Sequence, residues 1–165
     1  MEKLRAKRHV TLAIAPVAVF FLLCGCGGGG HAVDNSAAAS TVIVKTVGAA
    51  TTLYGLQFKI ELAPGVTLAT DASGELASGA IVPSGGAAGA MVVTNYQRSV
   101  EPQTVTVSLV KPLGFSVGEF LTLTAQVAPG ASFSPADLTL SEFKAYDDLE
   151  SGAVQESITG AVAAP

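Results

Sequence analysis

The chain has 165 residues, 49% of them hydrophobic, with two cysteines, no tryptophan and a formal net charge of −4. Four of its nine basic residues and one of its thirteen acidic ones fall in the first nine positions, so the remainder sets five cations against twelve carboxylates. So few cations exclude a nucleic-acid groove, which needs several phosphate-neutralising side chains. They also exclude a basic patch for anionic lipid, and the lack of cysteine after Cys26 excludes a disulfide framework.

The first element is a leader. Residues 1–9, MEKLRAKRH, are basic, and an apolar run, Val10–Leu23, follows. A basic start, a short apolar run and small residues describe a signal peptide. The run falls short of the roughly 18–20 residues of a permanent span and contains Pro16. Next, Leu23-Cys24-Gly25-Cys26 resembles the lipobox of bacterial lipoproteins, with Leu three before the cysteine and a small residue just before it. Cys24 does not fit that frame, because Leu22 and Leu23 precede it. The resemblance implies a lipoprotein signal peptide over residues 1–25, cleavage before Cys26 and lipid on Cys26. More than one acyl chain is needed for stable anchoring. The competing readings are unreacted thiols, or a Cys24–Cys26 disulfide strained by its single intervening residue. Residues 26–39 read as the lipidated cysteine and a flexible tether, since four glycines, Gly27–Gly30, have no side chains to pack. Gly27 in second place, rather than Asp, resembles lipoproteins sent on to the outer membrane. The expected location is the bacterial envelope.

The body, residues 40–165, is about 125 residues and suits one domain. Its elements are strands. Thr41–Val47 is β-branched and alternating. In Leu53–Leu62, Tyr54, Leu56, Phe58, Ile60 and Leu62 share one face, and Gln57, Lys59 and Glu61 the other. Period two over that length predicts a half-buried strand, and Ala63-Pro64-Gly65 ends it. Val66–Ala69 and Glu75–Val82 are weaker candidates, and Met91–Asn95 is a short apolar one. Thr104–Val110 turns Val105, Val107 and Leu109 inward; Phe120–Val127 does the same with Leu121, Leu123, Ala125 and Val127. Leu138–Tyr146 alternates with a slip near Glu142-Phe143, and Val154–Val162 closes the chain. Short strands with one apolar face each need a second sheet to bury them, which predicts an all-β, two-sheet antiparallel sandwich. A closed barrel is the other architecture.

The order of these segments resembles a cohesin-type domain. Four stretches carry the likeness: the opening strand Ser40–Val47; LYGLQFKIELAPGVTL, Leu53–Leu68; the glycine-led GEFLTLTAQV, Gly118–Val127; and LTLSEFKAYDDLESGAV, Leu138–Val154, a strand leading into an acidic turn. The long strand departs from the family in ending on Ala63-Pro64 where Asp-Pro is usual. The resemblance implies a jelly-roll sandwich of about nine strands in an extracellular bacterial protein. It also implies a protein-binding role, since typical cohesins hold dockerin modules across one sheet face.

Candidate sites are few. The one histidine after the leader, His31, stands on the tether. A general base needs a rigid position, so a His-dependent triad or zinc site is not expected, nor is any cofactor. Paired carboxylates can serve glycoside hydrolysis, but Glu61, Glu101, Glu119 and Glu142 are scattered. The expectation is a non-enzyme. Asp147, Asp148 and Glu150 are a weak calcium candidate on a turn, without the ligand spacing of an EF-hand; a solvated hairpin turn is the other reading. Tyr96, beside Asn95, Gln97 and Arg98, is an aromatic on which a sugar can stack. The outward rows Thr104, Thr106, Ser108 and Thr122, Thr124, Gln126 offer flat polar faces. The sequence therefore predicts a lipid-anchored protein-binding module with an extracytoplasmic partner. The alternatives are a carbohydrate-binding module for polysaccharide and a passive structural domain of the envelope.

Overall fold

The computed structural model describes residues 36–148 and 150–165. The expected signal peptide and Cys26, with most of the tether, lie outside the described residues. Among the described residues there are nine strands: β1 (Ala38–Val47), β2 (Thr52–Glu61), β3 (Val66–Leu68), β4 (Ile81–Pro83), β5 (Met91–Gln97), β6 (Thr104–Ser116), β7 (Glu119–Val127), β8 (Thr139–Tyr146) and β9 (Thr159–Ala163). Among the described residues, the helical segments are two short 3-10 turns, Gly85–Ala87 and Pro135–Asp137. One sheet runs β3-β7-β1-β9, with β4 continuing the edge that β3 begins on β7; the other runs β5-β6-β2-β8. All pairings are antiparallel. The two sheets pack face to face as a β-sandwich.

Alternation dictates what lies between them. Leu56, Phe58, Ile60, Val105, Val107, Leu109, Leu123 and Ala125 all face inward and are buried. At roughly 25 cal/mol per Å² of apolar surface withdrawn from water, this row-on-row burial is the main stabilising term in a domain without disulfides. Three rings join the layers. Phe58 of β2 meets Phe120 of β7 edge-on at 5.4 Å between centroids, and Phe143 of β8 lies 6.0 Å from Phe58 and 6.4 Å from Phe120.

Irregularities re-aim side chains that strict alternation would misplace. The slip expected in β8 is a bulge: Gln57 pairs with Lys144, but Lys59 pairs with Ser141, so two residues oppose Phe58. Glu142 takes φ of 53° there, the left-handed region that a non-glycine residue enters at a cost. The bulge turns Phe143 inward. In β7, Val44 pairs with Leu121 and Lys45 with Glu119, leaving Phe120 as an extra residue. Phe120 and Leu121 are therefore both buried, although they are consecutive. At this end the buried Thr46 hydroxyl donates to Gly118 O at 3.1 Å and accepts from Gly118 N–H at 2.8 Å. That closes the polar groups of the β6–β7 turn.

Some expectations need correction. Tyr54 does not join the core; Leu53 does. The cause is a wide bulge in β6, where Leu53 pairs with Phe115 but Gly55 pairs with Val110, which flips the face of β2 before Leu56. Tyr146 is likewise only half-buried, packed over Gly55, with its hydroxyl donating to Gln57 Oε1 at 3.4 Å. The closing segment is not one strand from Val154. Val154 makes a lone bridge to Tyr146, and the strand begins only at Thr159. The chain must cross there from the sheet of β8 to the sheet of β9, and Ile158 N–H donates to Gln155 O in the turn that makes the crossing. Similarly, only Ile81 and Val82 of the Glu75–Val82 stretch belong to a strand, which runs Ile81–Pro83, because Ala77–Ala80 is a turn with Gly79 at φ of 92°.

Candidate functional site

The two threonine-rich rows lie on opposite outer faces. Thr104, Thr106 and Ser108 belong to β6 of one sheet; Thr122, Thr124 and Gln126 belong to β7 of the other. Their inward neighbours meet across the core, so the outward rows point away from each other and form two surfaces rather than one. Thr104 is also nearly covered, at 6% exposure, between Gln97 and Glu61 on its own face.

The outer face of the β5-β6-β2-β8 sheet can be read row by row from its register. One row is Met91, Val110, Gly55, Tyr146; the next is Val93, Ser108, Gln57, Lys144; the third is Asn95, Thr106, Lys59, Ser141; the last is Gln97, Thr104, Glu61, Thr139. The face thus grades from apolar to polar along the strands. Met91 is 65% exposed and Val93 71%. Beyond Val110, residues Lys111–Gly114 protrude in the β6 bulge and carry Leu113, 91% exposed. A run of large apolar side chains left in water at one end of a sheet is the feature of this molecule that solvation alone does not explain. The opposite outer face has Val82, Thr122, Ile43 and Ala163 in one row and Thr41 beside Thr124 in another.

The acidic hairpin borders the apolar end. A hollow of about 260 Å³ is lined by Tyr54, Pro112, Asp147, Asp148 and Glu150. Asp148 is committed within its own turn: its carboxylate accepts from Glu150 N–H at 2.9 Å and from Ser151 N–H at 3.4 Å. Hydrogen bonds from Ser151, then Glu150, hold its pKa below the ordinary carboxylate value. Asp147 accepts from the Gln155 side-chain amide. Among the described residues, no three His, Cys, Asp or Glu side chains are grouped as metal ligands.

Tyr96 is placed differently from the exposed platform that a stacked sugar would need. It points inward from edge strand β5, half-buried against the core. Its hydroxyl accepts from Leu68 N–H at 3.2 Å and donates to Gln103 Oε1. Tyr96 therefore ties β5 to β3 across the open side of the sandwich. The ring's outer neighbours are the polar groups of a separate cleft.

Met91 and Val93 were not legible as site residues, because an apolar pentad such as Met91–Asn95 reads as core from sequence. Only the register shows that β5 is an edge strand with its odd-numbered side chains turned outward. The chain has no match among family models, curated proteins or solved structures.

Proposed function

We propose that this chain is a lipid-anchored, non-catalytic protein-binding module of the bacterial envelope, a cohesin-like jelly-roll sandwich that docks a partner on the outer face of the β5-β6-β2-β8 sheet. The observation that carries the reading is the exposed apolar pair Met91 and Val93 on the outer face of edge strand β5, together with Leu113, which protrudes from the β6 bulge. Protein interfaces place apolar side chains at the centre of the contact and polar ones at its rim. Here Ser108, Thr106, Gln57 and Lys59 supply the rim on one side and the acidic hairpin supplies it on the other. The matching partner offers apolar anchors flanked by basic side chains, since Asp147, Asp148 and Glu150 line the hollow beside Pro112 of the same bulge. The nine strands in two antiparallel sheets agree with what the resemblance to cohesin-type domains implies.

The test is in-cell cross-linking followed by capture of the full chain. Met91→Asp combined with Val93→Asp is expected to abolish a captured partner, whereas Thr122→Asp with Thr124→Asp, on the far face, leaves it in place. Equal capture by both variants would overturn the reading. Anchoring is tested separately. Cys26→Ser is expected to remove incorporation of labelled palmitate and to release the protein from the membrane fraction. Undiminished labelling, or loss only on Cys24→Ser, would count against Cys26.

A further inference from the structure

We infer that the cleft where β3 faces the end of β5 is a binding site for an acidic sugar, a carboxylate carried on a polyol ring, with Arg98 as its anion-holding residue. The site lies at the end of β5 away from Met91 and does not rest on the protein-docking reading. The cleft has a volume of about 480 Å³, room for a sugar ring with its water. Among the described residues, Arg98 is the one charged residue in its lining, and no carboxylate lines it. That is unusual for a body with twelve acidic residues against five basic ones. Asp71, in the adjoining turn, is spent locally. Its Oδ1 accepts from Ser73 N–H at 2.8 Å, Ser73 Oγ at 2.6 Å and Glu75 N–H at 3.2 Å. Those bonds also keep its pKa below the usual value, the Ser73 hydroxyl first.

The guanidinium reaches the adjoining turn. It donates from Nη1 to Thr70 Oγ1 at 3.5 Å and lies over Gly74, where an added Cβ would come within 3.5 Å of Nη2. A planar fork of N–H groups matches the two oxygens of a carboxylate. The remaining lining suits hydroxyl groups. Thr67, Thr70 and Ser99 supply hydroxyls, and Gln103 and Gln126 supply amides. Tyr96 takes the carbonyl end of Gln103, so the donor end of that amide is what Gln103 has left for a ligand. A sugar acid uses the guanidinium for its carboxylate and these five groups for its hydroxyls. The negative charge of the rest of the domain does not forbid this, because exposed charges beyond about 10 Å are screened at ~0.1 M salt.

Calorimetric titration of the full chain with tri-galacturonate tests the inference, with the neutral galactose trimer and tetraglutamate as comparison probes. Tri-galacturonate is expected to bind, and Arg98→Gln to weaken it about tenfold or more, the effect of losing a hydrogen bond to a charged group. Arg98→Lys is expected to recover part of the loss. Arg98 is exposed, so the melting temperature is expected to stay within error in both variants. The inference is overturned by no binding, by equal binding of the neutral trimer, by tetraglutamate binding as tightly, or by an Arg98→Gln variant that binds as wild type. None of these outcomes depends on whether a protein partner docks at Met91 and Val93.

Discussion

Phe58→Ala is expected to cost about 3–5 kcal/mol of folding stability, the range for truncating a buried phenylalanine whose neighbours cannot collapse into the space. Total stability of a small domain is roughly 5–15 kcal/mol, so this one change consumes a large share of it. Phe58 is only 1% exposed and touches both layers. Its ring meets Phe120 from the opposite sheet edge-on and lies beside Phe143 from the neighbouring strand. Removing it takes away apolar burial and an aromatic geometry worth about 0.5–1.5 kcal/mol beyond the area. Urea unfolding measures the effect. The same truncation at Leu113, 91% exposed, is expected to stay within about 0.5 kcal/mol. A Phe58→Ala protein that unfolds at the wild-type midpoint would mean that the layers are not joined through this ring.

The inner face was legible because period-two alternation is a local property. Leu56, Phe58 and Ile60 announce their common side within five residues, and Val105, Val107 and Leu109 do the same. What escaped the sequence is whatever depends on a partner strand. Tyr54 continues the alternation of β2, yet the bulge that displaces it sits on β6, more than fifty residues away. The assignment of β6 and β7 to different sheets is also a pairing property, so Thr104–Ser108 and Thr122–Gln126 look alike on paper and face opposite ways. Edge position decides the rest. Met91 and Val93 would be ordinary inner residues in a strand whose other parity faced the core. The Arg98 cleft needs Thr67 of β3 and Thr70 just after it beside Ser99 and Gln103 of the β5–β6 connection, a convergence that no window of sequence contains.

Gly160 presents the same lesson as a measurable quantity. In sequence it is one small residue in the closing strand. In the fold it pairs with the inward-facing Thr46, and residues from β8 occupy the space a side chain would take. An added Cβ would lie 2.7 Å from Leu140 Cδ2 and 2.7 Å from Phe143 Cδ2. The obstacle is packing space, since a glycine inside a strand marks a close approach. Phe143 cannot retreat, because it is held against Phe58 and Phe120. Overfilling a packed core costs about 1–3 kcal/mol, and Gly160→Ala is expected to fall in that range by urea unfolding. The cause is separable from a general weakness of β9. Shortening the obstructing ring with Phe143→Leu should make the added methyl cheaper, so the two changes together cost less than their sum, by more than the ~0.5 kcal/mol within which independent sites add. Strict additivity would show that the glycine is not there to seat the ring.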